Sequence, residues 1–95
     1  MDVLSWFQEW YSQQCDGDWE HDDRITIQSL DNPGWMVVIN LLDMELEDKE
    51  FESLKIERSE NDWLHCKVEN KVFRGAGGAG NLKKMLEVFL SWACK

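Results

Sequence analysis

Most of the side chains that could do chemistry lie between Cys15 and Asp23, in the run Cys15-Asp16-Gly17-Asp18-Trp19-Glu20-His21-Asp22-Asp23. These nine residues carry five carboxylates, one thiol and one imidazole. Metal binding is the sharpest use of such a set. A calcium loop needs a glycine at its sixth position and a bidentate glutamate at its twelfth. Counted from Asp16, those positions hold His21 and Ile27, so the pattern fails. Zinc needs four ligands in paired spacings. Cys15 and His21 have no second pair nearby, although His65-Cys66 could approach across the fold. The plain reading is a solvated turn whose Asp side chains bond backbone amides. A third reading is a contact surface, with Trp19 as anchor and Asp16, Asp18, Glu20 and His21 around it to meet a basic partner.

Nucleophilic catalysis is weakly supported. Cys15 with His21, or Cys66 with His65, can be drawn as thiol–imidazole pairs. Neighbouring residues on a strand point to opposite faces, so His65 is badly placed to activate Cys66. Cys66 reads as a small buried hydrophobe. No Ser-His-Asp set is visible.

Gly75-Ala76-Gly77-Gly78-Ala79-Gly80 formally matches the dinucleotide fingerprint G-x-G-x-x-G. That motif needs a following strand carrying an acid about 20 residues on. The sequence stops at Lys95, and Asn81-Leu82 stands where a phosphate loop has Lys-Ser/Thr. Amides at a helix start near Arg74, Lys83 and Lys84 could still hold an anion. A flexible connector from Arg74 to Gly80 is the simpler expectation.

These stretches must be held by a small scaffold. Val3, Leu4, Phe7, Trp10 and Tyr11 recur at helical spacing after Asp2, a capping residue, and predict a helix ending near Gln14. Arg24 to Leu30 alternates as a strand. Asp31-Asn32-Pro33-Gly34 is a turn. Trp35 to Leu42 reads as a second strand, apolar on both faces and so interior. A third strand is expected over about Phe51–Arg58, and a fourth from Trp63 to Phe73 with Leu64, Cys66 and Val68 inward. Leu82, Met85, Leu86, Phe89, Leu90 and Ala93 stripe a last helix that Asn81 could cap. The expected fold is α+β: one domain over residues 1–95, a four-stranded antiparallel meander, and both terminal helices on one face.

The balance of charge narrows the partners. The 95 residues sum to a net charge of −9, and Arg24 is the sole cation in the first 32. Residues 43–62 are again acidic, while residues 63–95 carry a net positive charge. The run from Asp43 to Glu52 reads as a solvated face, or as an edge whose charges deter strand pairing. Such a molecule repels nucleic acid, which is bound by Lys and Arg. It attracts basic surfaces, including those of many nucleases. Three unpaired-looking cysteines, an N-terminus without a signal-peptide pattern and no membrane-length apolar run predict a cytoplasmic protein. No cofactor is expected. A two-fold homodimer through the Trp35 strand is left open.

One resemblance covers nearly the whole chain. Trp10-Tyr11, the block Gln14-Cys15-Asp16-Gly17-Asp18-Trp19-Glu20-His21 and the block Leu30-Asp31-Asn32-Pro33-Gly34-Trp35 resemble the bacterial immunity protein 53 family. Asp62-Trp63, Cys66, Phe73-Arg74-Gly75, Gly78 and Asn81-Leu82 follow in the same order. The resemblance implies a small inhibitor from a polymorphic toxin system that binds and neutralises a cognate toxin without catalysis. It carries over no catalytic residues, and the shared blocks could be structural. Two other readings stay beside it: a metal- or thiol-dependent enzyme using Cys15–His21, and an anion or nucleotide module using Gly75–Gly80.

Overall fold

A helix begins the chain because Asp2 closes its first turn: the carboxylate accepts from the Ser5 amide at 2.8 Å. In a computed structural model, which describes residues 2–95, this helix α1 spans Val3–Gln14. Its stripe buries Val3, Phe7 and Trp10. Strand β1, Ile25–Leu30, turns through Asp31 to Pro33 into β2, Gly34–Asn40. A long connection then crosses to β3, Leu54–Glu57. Strands β4, Trp63–Glu69, and β5, Val72–Gly78, complete the sheet, and helix α2, Leu82–Ala93, ends the fold.

The α+β class and both helices match expectation, but the sheet has five antiparallel strands and is not a meander. Its order is β1-β2-β5-β4-β3. The segment expected as one strand from Trp63 to Phe73 folds back at Asn70-Lys71. Both residues are left-handed, with φ of 54° and 63°. Two such residues between paired Glu69 and Val72 make the tight turn whose twist suits a hairpin. Lysine is an unusual occupant there. Its position is held by an ammonium that donates to Glu47 Oε1 at 2.6 Å and by a carbonyl that accepts from the Leu41 amide.

The second departure follows from the first. Gly75 to Gly78 lie within β5, at the centre of the sheet, and not in a loop. A Cβ on Gly75 would stand 2.6 Å from Met85 Cγ and Sδ, so glycine lets α2 settle directly on the sheet. Asn81 begins α2 without capping it by its side chain. Its amide instead donates to Asp62 Oδ1 and the Trp63 carbonyl, pinning the preceding turn.

Both helices lie against one sheet face. Val37, Ile39, Leu64, Cys66 and Phe73 rise from it to meet Met85, Phe89 and Leu90. Phe89 sits at the middle, edge-on to Trp10 at 4.9 Å and to Phe73 at 5.0 Å. Burial of such aromatic area drives the folding of a chain this short. No helix among the described residues is long and apolar enough to cross a membrane.

Candidate functional site

The Cys15–Asp23 run closes on itself. Asp16 Oδ1 accepts from the amides of Asp18 and Trp19 at 3.0 and 2.9 Å. This starts a single helical turn, Trp19–His21. Glu20 reaches back, and its carboxylate accepts from the amides of Asp16 and Gly17. Gly17 has a φ of 98°, which L side chains rarely adopt, so the bend requires glycine. Amide donors stabilise the charged carboxylates. Those of Trp19 and Asp18 hold Asp16 below its ordinary pKa, and its own amide with those of Asp16 and Gly17 does the same for Glu20.

Trp19 does not stand out as an anchor. Its indole is buried in the core, edge-on to Trp10 at 6.1 Å and beside Tyr11 at 5.5 Å. Its Nε1 has no hydrogen-bond partner there. Trp19 is thus buried and Glu20 half-buried, both shaping the loop from within, and Asp16 closes the turn from the surface. Asp16, Asp18 and His21 are exposed.

Arg24 is the residue that sequence reasoning passed over. It is buried, and its guanidinium bridges two segments distant in sequence. Nε donates to the Trp19 carbonyl at 3.0 Å, and Nη1 donates to the Leu42 carbonyl at 2.7 Å. Nη2 reaches Asp22 Oδ2 at 3.3 Å. The group also lies 5.4 Å from the centre of the Trp19 ring. The signal was present in the sequence: a lone cation among eight acids is rarely free.

This bridge brings the two acidic stretches together. Asp16, Asp18 and Asp22 line one side of a depression of about 430 Å³, and Asp43 and Glu45 line the other. Arg24 is its only cation, and that charge is already engaged by the loop. Tyr11 and Leu42, both unusually exposed for large apolar residues, flank this region. A second depression beside it shares Asp22 and adds Asp23 next to Tyr11.

The sequence matches the family model described as immunity protein 53 over residues 4–94, nearly its full length. The chain belongs to the immunity protein 53 family. Comparisons with curated proteins and with solved structures returned no match. The blocks that carry the immunity protein 53 likeness now have visible jobs. Cys15 to His21 form the self-closed turn, and Leu30 to Trp35 form the β1–β2 hairpin.

The other chemistries that the sequence suggested meet specific geometry in this immunity protein 53 member. Among the described residues, no three His, Cys, Asp or Glu side chains are grouped to hold a metal ion. The Cys15 thiol donates to the Tyr11 carbonyl at 3.4 Å. Cys66 is buried, and burial pushes its thiol up to about 11. His65 projects from the opposite face of β4, packed on Trp63 at 5.2 Å. Gly75, Gly77 and Gly78 of the nucleotide-like motif are committed to the β5 ladder, the first two packed under Met85 and the third against the Asn61 carbonyl, and Gly80 lies in the short turn before α2. The strand takes up the residues that would have to form a phosphate-cradling loop.

Proposed function

We infer that this chain binds a cognate protein toxin and neutralises it by laying its acidic surface over a basic region of the toxin, without catalysis of its own. One observation carries the reading. Two acidic segments separated in sequence are pulled around Arg24 into a single groove whose only cation is buried. Their mutual repulsion is a cost of folding that a basic partner would relieve. A nuclease, whose cleft must be basic to hold phosphates, fits that surface. The work would be done in the cytoplasm of the toxin-producing cell.

Within this surface Asp18, Asp22, Asp43 and Glu45 supply charge and His21 borders it. Asp16, Trp19 and Glu20 hold its shape. Tyr11 and Leu42 replace Trp19 as the apolar contacts, since they are exposed and the indole is not. Affinity comes from such desolvated apolar anchors, and association rate comes from charge.

The test is co-expression with a candidate toxin domain. Wild-type chain restores growth. The double variant Asp18→Lys/Asp43→Lys, folded by circular dichroism, is expected to lose most of its protection and to bind more slowly. Full protection by the folded double variant would refute the acidic mechanism and leave the family membership untouched.

A further inference from the structure

The helices cover one face of the sheet and leave the other without a layer. Side chains on that open face form two cross-strand rows. The first runs Met36, Ala76, His65, Lys55 across β2, β5, β4 and β3. The second runs Val38, Arg74, Lys67. Between the rows lies a depression of about 450 Å³, lined by Met36, Ala76, His65 and Lys55 from one row and by Lys67 and Arg74 from the other.

Two features of this face are costly for the isolated fold. Lys67 and Arg74 are direct cross-strand partners, and like charges so placed repel. Lys67 leans to Glu69 at 3.6 Å and Glu57 engages Lys55 at 3.1 Å, while His65 Nε2, 3.6 Å from Glu57 Oε1, makes no hydrogen bond among the described residues. Arg74 has no ion pair among the described residues. Met36, Val38, Ala76 and Trp63 are only half-buried. The face carries Lys55, Lys67 and Arg74 against Glu57 and Glu69, so it is mildly cationic, with Arg74 the charge left unanswered, where the groove is acidic.

We propose that the open face of the sheet is a second docking surface, for a segment of a partner protein in which carboxylates alternate with apolar side chains. The carboxylates would answer Arg74 and Lys67, and the apolar side chains would cover Met36 and Ala76. Alternation matches a pleated surface, where rows repeat every second residue. A polyanion such as nucleic acid would meet the acidic remainder of the molecule. This surface is separate from the acidic groove and does not depend on it.

The probe is a short synthetic peptide of alternating Asp and Leu with blocked ends, titrated into the full chain and followed by NMR. Saturable shifts of the Met36 and Ala76 methyls and the Trp63 indole are expected. Lys67→Glu/Arg74→Glu is expected to weaken binding roughly tenfold, as is the peptide with Asn for Asp. Both residues are exposed, and Arg74→Gln serves as a milder variant, with a smaller loss expected. Asp18→Lys/Asp43→Lys should leave this titration unchanged, so failure here and failure of the toxin reading are distinguishable. Four results would overturn the proposal: no saturable shift, shifts confined to the acidic groove, tighter binding of an oligonucleotide to the same face, or concentration-dependent self-association through it.

Discussion

Replacing Arg24 by Met removes the tie between the two acidic segments while keeping most of the aliphatic volume. Its side chain is 6 % exposed, so solvent cannot replace the lost donors. Two carbonyls, those of Trp19 and Leu42, lose charged partners at 3.0 and 2.7 Å. A hydrogen bond to a charged group contributes about 1.5–3 kcal/mol. The Asp22 carboxylate is 71 % exposed, so its pair adds little, on the order of 0.5 kcal/mol. Apolar packing by the Met side chain returns about 1 kcal/mol. The expected net loss is about 3–5 kcal/mol, a large share of the roughly 5–15 kcal/mol available to a domain. Urea unfolding measures it as a lowered midpoint at unchanged slope. The destabilisation should be greater at low salt, because the groove's carboxylates then repel without any cation among them. Asp22→Asn is the control and should cost less than about 1 kcal/mol. If Arg24→Met unfolds within about 1 kcal/mol of the wild type, Arg24 does not organise the groove.

Three further outcomes follow from the same geometry. Asp16 and Glu20 are held below their ordinary pKa values of 3.8 and 4.5, so their contribution is complete above those values and is lost as pH falls through the lower folded ones; amide exchange at Gly17, Asp18 and Trp19 should rise on that acid limb. Gly75→Ala should destabilise by about 1–3 kcal/mol through the clash with Met85, and Met85→Ala should recover part of that loss in a double-mutant cycle on thermal unfolding. Cys15 and Cys94 are exposed while Cys66 is buried, so a thiol reagent near neutral pH should label two sites quickly and the third only on unfolding.

Family membership was legible in short blocks because those blocks build local structure. The Cys15–His21 turn is made by side chains bonding amides two to four residues away, so its sequence cannot drift far without losing the turn. The same economy misleads about function. Trp19 within a ring of carboxylates reads equally as an exposed anchor and as a core residue beside a polar turn. Only its contact with Trp10, from the first helix, decides for the core. Asp43 and Glu45 were legible as acids but not as neighbours of Asp18, because the link runs through the Leu42 carbonyl, which any residue at that position would supply.

Periodicity determined both helices, the β1–β2 hairpin and the inward residues of the strands it found, and capping chemistry set the start of the first helix, because those properties depend on residues a few positions apart. Tertiary structure decided what pairs across long separations. It placed β5 between β2 and β4 and turned an apparent glycine loop into the floor beneath α2. It also split one expected strand at a turn made without glycine. The acidic groove and the cationic open face belong to this second class. Each is assembled from segments that have no local reason to meet, and each exists because strand order and one buried arginine bring them together.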